Sequence, residues 1–154
     1  MTDMPTCHHI RRAGHWSGAG GRISLTYEAR FLRRKRLVAE GGERFLVDLA
    51  HTESLDHGDA FEVSDGRLIE VVAAPEPLWQ ITAPGAGGLA RLAWHIGNRH
   101  TPCQIEAQRL LILRDRVLGE MLAQLGADLD EITAPFSPEG GAYGHGRTHG
   151  HAHE

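Results

Sequence analysis

The sequence predicts an α+β protein, in which an all-β sandwich or small barrel precedes a ferredoxin-like βαββαβ domain and a flexible His-rich tail. Short strand-like runs broken by turn residues fill the first half, and two helical repeats alternate with strands in the second. Glycine and histidine dominate the last residues. The 154 residues, 41% of them hydrophobic, suffice for one medium domain or for two small domains with separate cores.

The first half is predicted to be all-β because its apolar runs are short and separated by turn residues. These runs lie at residues 23–27, 36–39, 44–49, 60–63 and 68–72. Between them stand residues that tolerate the positive φ of tight turns, in Glu40-Gly41-Gly42-Glu43, His57-Gly58-Asp59 and Ser64-Asp65-Gly66-Arg67. We therefore predict a flexible N-terminus over residues 1–21 and a β domain over residues 22–75.

The pattern changes at Pro75-Glu76-Pro77, where we predict that the prolines interrupt any strand and mark the domain boundary. The second domain is predicted over residues 76–137, with strands at 78–81, 104–107, 109–113 and 132–136. Together with two intervening helices, these strands give the order βαββαβ.

Both helices are predicted from apolar residues at helical spacing. The first carries Leu89, Leu92, Ala93 and Ile96, and Gly97 with Asn98 should end it next to His100. The second begins after Asp115 as N-cap, stops at Gly126, and has an apolar face formed by Val117, Leu118, Met121, Leu122 and Leu125.

The tail over residues 138–154 contains four histidines without an apolar side chain that could bury them: His145, His149, His151 and His153. Neutral imidazole is a good ligand for nickel, copper and zinc, so the tail predicts transition-metal binding. His149, His151 and His153 alternate with other residues and can close on one ion in an extended chain. An inert polar end or a purification tag is the alternative, but tags are usually uninterrupted histidine runs.

Charge and composition narrow the class of partner. A formal charge of -4 argues against a mainly nucleic-acid-binding surface, and we expect no membrane contact because no apolar run approaches a membrane span. The N-terminus lacks the apolar core of a signal peptide, so we expect a cytoplasmic protein. Cys7 and Cys103 should then remain reduced, without a disulfide.

Several motifs together resemble the urease accessory protein E family, whose members are nickel metallochaperones. In the second half these are Trp94-His95-Ile96-Gly97-Asn98-Arg99-His100-Thr101-Pro102, Gln104, Arg114-Asp115-Arg116-Val117-Leu118, Leu125-Gly126-Ala127, and Pro135-Phe136 through Gly141-Ala142-Tyr143. In the first half they are Arg33-Arg34-Lys35-Arg36, Asp48-Leu49, Gly58-Asp59 and Val72-Ala73-Ala74-Pro75. The resemblance covers nearly all of the chain after Gly21.

The resemblance implies a cytoplasmic homodimer that carries Ni(II) to the urease active site and is not an enzyme. Its β domain would contact proteins, and its ferredoxin-like domain would dimerise, placing His100 of each subunit beside one shared ion. The tail histidines would add ligands, and Zn(II) or Cu(II) could bind in vitro. Its partners would be the urease accessory GTPase and the apo-urease accessory complex; whether two dimers join around one metal ion stays open.

One departure from the family pattern lowers the expected number of metal ions. Some members carry two histidines flanking the aspartate before the second helix, whereas this chain has Arg114 and Arg116, which repel cations. We therefore expect no peripheral site.

Other interpretations stay open. The protein could be a general metal buffer without a dedicated client, a peptide-binding co-chaperone, or, least favoured, a zinc enzyme. His95 is expected to pack or to form hydrogen bonds, Cys103 to act as a small apolar filler, and Cys7-His8-His9 at most to bind metal adventitiously.

Overall fold

The computed structural model describes residues 4–140, which form a mixed α+β structure of ten strands and two helices. The chain divides into two compact units, Met1–Ala74 and Pro75–Glu154. The first unit contains strands only, and both helices lie in the second, as the sequence predicts. The unit boundary lies one residue before the end of the predicted β domain.

The first unit is built on one six-stranded sheet. Its strands are β1 (Thr6–Arg11), β2 (Gly21–Leu25), β3 (Phe31–Val38), β4 (Arg44–Ser54), β5 (Ala60–Val63) and β6 (Leu68–Ala73), in the order β2-β6-β5-β1-β4-β3. β1 with β4 and β2 with β6 are parallel pairs. The amide of Glu40, just after β3, donates to the carbonyl of Arg22 in β2 at 2.9 Å. The sheet therefore curls, nearer to the predicted barrel than to a sandwich of two separate sheets.

The prediction of a flexible segment over residues 1–21 is wrong for β1. This strand lies inside the sheet between β5 and β4, and Cys7 on it is fully buried. Cys7 pairs with Val47 and Val63, which are distant in sequence. The strand is also irregular, because its register shifts between Cys7 and His9. Its apolar residues are also few and unevenly spaced, so the sequence lacks the alternation that identifies a half-buried strand.

The second unit has the predicted order of elements, strand, helix, strand, strand, helix, strand. These are β7 (Pro75–Thr82), α1 (Gly88–Asn98), β8 (Gln104–Ile105), β9 (Leu110–Leu113), α2 (Arg116–Gln124) and β10 (Asp128–Pro135). The four strands pair antiparallel in the order β10-β7-β9-β8. Its core contains residues of both helices and of the two central strands: Ile81, Leu92, Ile96, Leu110, Ile112, Leu118 and Leu122.

Pro75 and Pro77 do not interrupt a strand as predicted, because both belong to β7. Their partners are Pro135 and Thr133 on β10. The carbonyl of Pro77 accepts from the Arg114 amide at 3.4 Å, so the backbone edge of Pro77 faces away from β10. The backbone N–H and C=O groups of successive strand residues face opposite neighbouring strands, so Pro75, two residues earlier, faces the same way as Pro77. The missing amides of the two prolines therefore remove no hydrogen bond to β10.

The ends of α2 follow the prediction. The Asp115 carboxylate accepts from the Leu118 amide at 3.0 Å, which is the predicted N-cap. Gly126 has φ 94°, which suits a residue without a β-carbon. Val117, predicted on the apolar face, is instead 74% exposed.

Candidate metal centre

His100 stands immediately after α1, whose inner face packs into the core of the second unit. Leu92 and Ile96 are buried at helical spacing, so the helix is fixed by one side and leaves the opposite side to solvent. Gly97, Asn98, Arg99 and His100 are all exposed. The imidazole of His100 is therefore presented at the surface by a helix held on a rigid core.

His100 adopts φ 57°, and it is the one residue other than glycine with positive φ in residues 4–140. Its amide donates to Gly97 O at 3.0 Å, and the Thr101 amide donates to Ile96 O at 3.4 Å. These two bonds form a Schellman motif, in which the left-handed position is normally glycine. A side chain there costs roughly 1–2 kcal/mol. Strained positions cluster at functional sites, so this conformation marks His100 as a candidate functional residue.

The α2 C-terminus provides an internal comparison for this motif. Gly126 donates to Ala123 O at 3.0 Å, and Ala127 donates to Leu122 O at 3.0 Å. The same hydrogen-bond pattern therefore ends both helices, with glycine in one and His100 in the other. Helix termination alone does not explain the histidine.

Trp94 lies on the solvent side of α1 and is 64% exposed. Its ring meets the ring of His95 edge to face, with centroids 5.1 Å apart, consistent with the packing role expected for His95. Large exposed aromatic residues are typical of protein contact surfaces. Sequence reasoning missed Trp94, although its position off the stripe formed by Leu92 and Ile96 was a usable signal.

Within residues 4–140, no group of three or more His, Cys, Asp or Glu side chains is arranged to hold a metal ion. His100 is therefore not part of a preformed cluster of candidate ligands in these residues. The other predicted ligands, His145, His149, His151 and His153, lie outside the described residues.

Arg114 and Arg116 make local contacts at the start of α2. The Arg114 guanidinium donates to Ile132 O at 3.0 Å and lies 5.8 Å from the centre of the Trp79 ring. Arg116 pairs with Glu120 at 3.2 Å. Both guanidinium groups are therefore positioned by neighbouring groups of the second unit.

Neither cysteine is poised as a thiolate. Burial raises the pKa of Cys103 to about 11, and the nearby Glu139 carboxylate adds to that effect. Burial likewise raises the pKa of Cys7 to about 11. His8 lies next to Cys7, but its Nδ1 is 2.8 Å from Asp48 O, on a neighbouring strand. The Cys7-His8-His9 segment is thus part of the sheet.

The segment after β10 contacts the loop that follows His100, a feature that sequence reasoning did not find. The Ser137 amide donates to Gln104 Oε1 at 2.8 Å, and the Glu139 amide donates to Cys103 O at 2.9 Å. Phe136, just before them, is fully buried. The final described residues thus lie beside residues 103–104.

No helix in the described part of the chain is long and apolar enough to cross a membrane.

Fold and site define a two-domain α+β protein that displays an exposed histidine at the end of the first helix of its second domain. Residues 4–74 match the family model of the UreE urease accessory protein N-terminal domain, and residues 76–154 match that of the C-terminal domain. The chain belongs to the UreE urease accessory protein family.

Full-length relatives support this assignment. The urease accessory protein UreE of Ruegeria pomeroyi is 65% identical over 151 residues, covering 98% of this chain and 99% of the relative. That of Cereibacter sphaeroides is 59% identical, covering 99% of this chain and 82% of the relative. That of Rhodobacter capsulatus is 56% identical, with coverages of 99% and 96%.

Proposed function

We propose that this protein is a nickel metallochaperone that acts in urease maturation, binding Ni(II) and delivering it for assembly of the urease active site. The observation that carries the proposal is His100, an exposed imidazole held in a strained left-handed conformation at a helix end. Membership of a urease accessory protein family supports urease as the protein that receives the nickel. The protein acts as a carrier and not as an enzyme.

A homodimer would convert the single His100 into a metal site. A two-fold axis close to His100 places two imidazoles beside each other, one from each subunit. The exposed Trp94, on the solvent side of α1, supports a contact surface on this helix. Because two imidazoles leave most of the coordination sphere to water, the ion stays exchangeable.

The tail histidines would complete the coordination and release the ion. His145, His149, His151 and His153 are tethered to the same chain, which gives their imidazoles an effective concentration of about millimolar near the site. Nickel accepts imidazole readily, and Zn(II) or Cu(II) would compete in vitro. Capture by a tethered set of weak ligands suits a carrier better than a closed structural site does.

The partners proposed are a second copy of the chain, the urease accessory GTPase and the apo-urease accessory complex, in the cytoplasm. The β domain is proposed to contact these proteins. Whether two dimers share one ion through their His100 pairs would be decided by the metal stoichiometry and the particle mass together.

The test is nickel calorimetry on the wild-type protein and on His100→Ala, with the tail intact in both. We expect a site of one ion per dimer in the wild type that disappears in the variant. His95→Ala is the matched control, and it should retain that site because His95 packs against Trp94. Equal nickel binding by all three proteins would contradict the proposal.

A delivery assay separates a carrier from a general metal buffer. The nickel-loaded protein is added to apo-urease with its accessory proteins, in the presence of a chelator that removes free nickel. A carrier activates urease, and His100→Ala at equal total nickel activates it less. Activation that depends only on total nickel would favour a general metal buffer. The four tail histidines are the feature that supports this alternative.

A further inference from the structure

Strand β3 carries four consecutive basic residues, Arg33-Arg34-Lys35-Arg36, on an outer strand of the six-stranded sheet. All four residues are exposed. The chain as a whole is acidic, with a formal charge of -4, and Lys35 is its single lysine. The positive charge on β3 is therefore a local feature, and the proposed nickel site does not use it.

The pairing of β3 with β4 separates these side chains onto two faces of the sheet. Residues directly opposite each other on antiparallel strands share a face, and successive residues alternate between faces. Leu37 lies opposite the buried Phe45, so both occupy the core face. The opposite face is turned to solvent, and it carries two opposed pairs, Arg36 with Leu46 and Val38 with Arg44. We call these four residues the solvent-face patch.

The two arginines of the solvent-face patch have no acidic partner. Among the residues that the structure describes, neither the Arg36 nor the Arg44 side chain forms an ion pair or a hydrogen bond. Diagonal neighbours on paired strands lie about 7–8 Å apart, so these two like charges repel each other. The acidic residues nearest in sequence are engaged elsewhere: Glu40 with Ser24 at 3.1 Å, Glu43 with Arg67 at 3.6 Å, and Asp48 with Arg34 at 3.1 Å.

The apolar members of the solvent-face patch favour a protein as the partner. Val38 is 55% exposed, and Leu46 is half-buried beside Arg36. Arginine around an apolar centre is typical of protein contact surfaces. A site for single-stranded nucleic acid instead combines basic side chains with aromatic rings on which bases stack, and the patch contains no aromatic residue.

The backbone edge of β3 is poorly suited to receive an added strand. The register with β4 shifts between Leu32 and Arg34, which marks an irregularity in the strand. Lys35 lies opposite the buried Val47, on the core face, and is nevertheless exposed. Irregularities and charges on the core face of an outer strand both hinder pairing with another strand. A partner is therefore expected to lie on the solvent face and not to extend the sheet.

We propose that the solvent-face patch docks an acidic surface of a partner protein, with carboxylates on Arg36 and Arg44 and an apolar side chain on Val38. A guanidinium group binds a carboxylate through two parallel hydrogen bonds, and it is desolvated more easily than an ammonium group. The proposal rests on the contact between the β domain and urease-maturation proteins proposed above. It is independent of the nickel site, because none of the four residues is a candidate ligand.

The first experiment uses the single lysine of the chain. A carbodiimide joins a carboxylate to an amine without a spacer, so the background variant Lys35→Arg removes the lysine amine and Arg36→Lys places one in the patch. With full-length protein and the apo-urease accessory complex, mass spectrometry should find position 36 joined to aspartate or glutamate of the complex. No cross-link from position 36 overturns the proposal.

The matched control for cross-linking places the amine on another strand. Arg11→Lys in the same Lys35→Arg background has the same charge and the same number of lysines. Arg11 is also exposed, and it lies at the opposite end of β1 from Thr6, the neighbour of Leu46. We expect no cross-link to the complex from position 11. Equal cross-linking from positions 11 and 36 would show contact without a preferred face and would overturn the proposal.

The second experiment measures association kinetics with the immobilised apo-urease accessory complex at low salt. Charge complementarity acts mainly on the association rate, so Arg36→Glu should lower that rate about fivefold or more and weaken its salt dependence. Arg11→Glu makes the same change of charge and should leave the rate near that of the wild type. Circular dichroism checks that each variant is folded, as expected for changes at exposed positions.

The outcomes separate the docking surface from the nickel function. An association rate unchanged in Arg36→Glu, with nickel calorimetry still showing one ion per dimer, overturns the docking surface and leaves the carrier intact. A wild-type protein that does not bind the complex overturns the docking surface together with that partner. A labelled single-stranded oligothymidylate that binds the wild type but not Arg36→Glu, while the complex binds both alike, would assign the patch to nucleic acid.

Discussion

At the scale of single residues, the most informative feature is the conflict between conformation and residue type at His100. Its φ of 57° and the two hydrogen bonds that close the helix are what a glycine would adopt, as Gly126 does at the end of α2. Strained positions of this kind cluster at functional sites, and this makes His100 a candidate functional residue.

Replacing His100 with glycine should separate stability from metal binding. Relief of the left-handed strain, less the entropy that glycine gains in the unfolded chain, predicts a metal-free protein more stable by about 1 kcal/mol. Nickel binding should be lost at the same time. Urea unfolding at one protein concentration and calorimetry measure the two effects. Gly126→Ala, at the matching position of α2, should be destabilising, and a His100→Gly protein less stable than His100→Ala would contradict the account.

Cys103 should behave as a thiol and not as a ligand. Because burial raises its pKa to about 11, the thiolate that reacts and binds metals forms only at high pH. Relative to a free cysteine with a pKa near 8.5, the thiolate fraction at neutral pH falls by more than about a hundredfold. A disulfide reagent at pH 7.5 should therefore react slowly until the protein is unfolded. A sulfur-to-nickel charge-transfer band that disappears in Cys103→Ser would refute this.

At the scale of elements, local signals located the two helices well. The N-cap Asp115, the positive φ of Gly126 and the end of α1 near His100 all follow from interactions within one helical turn. β1 and the start of β7 were missed or misread, because strands are stabilised by partners distant in sequence. Val117 shows that helical periodicity also overestimates the buried face.

The N-cap predicts a specific stability effect. Asp115→Ala removes the acceptor for the Leu118 amide and should destabilise the protein by about 1 kcal/mol. Asp115→Asn keeps an oxygen acceptor and should cost a few tenths of that amount. Chemical denaturation of the wild-type protein and the two variants measures these differences in the free energy of unfolding. If the alanine and asparagine variants lose equal stability, the negative charge and not the hydrogen bond is what matters.

At the scale of the whole molecule, the central question is how one exposed histidine could form the proposed metal site. The described part of the chain contains no group of three candidate ligands, so in the proposed carrier the further donors would come from a second copy, from the tail, or from both. In the proposed dimer, Trp94 would offer the second copy a large apolar contact.

Trp94→Asp should convert the proposed dimer into a folded monomer. A charge buried at a contact surface without a partner is costly, whereas the same side chain on a free surface is not. Sedimentation equilibrium gives the mass, and circular dichroism reports the fold. Val117→Asp is the matched control, because Val117 is also highly exposed and lies on the other helix. A Trp94→Asp protein that remains dimeric would place the interface elsewhere.

The sequence by itself determined the α+β class, the βαββαβ order and the helix ends, because those depend on local turns, caps and periodicity. It also singled out His100, through a family motif. Only the tertiary structure placed β1 within the sheet, exposed Trp94, and set Ser137 and Glu139 against residues 103–104. Those features arise from contacts between residues far apart in the chain, which no local pattern encodes.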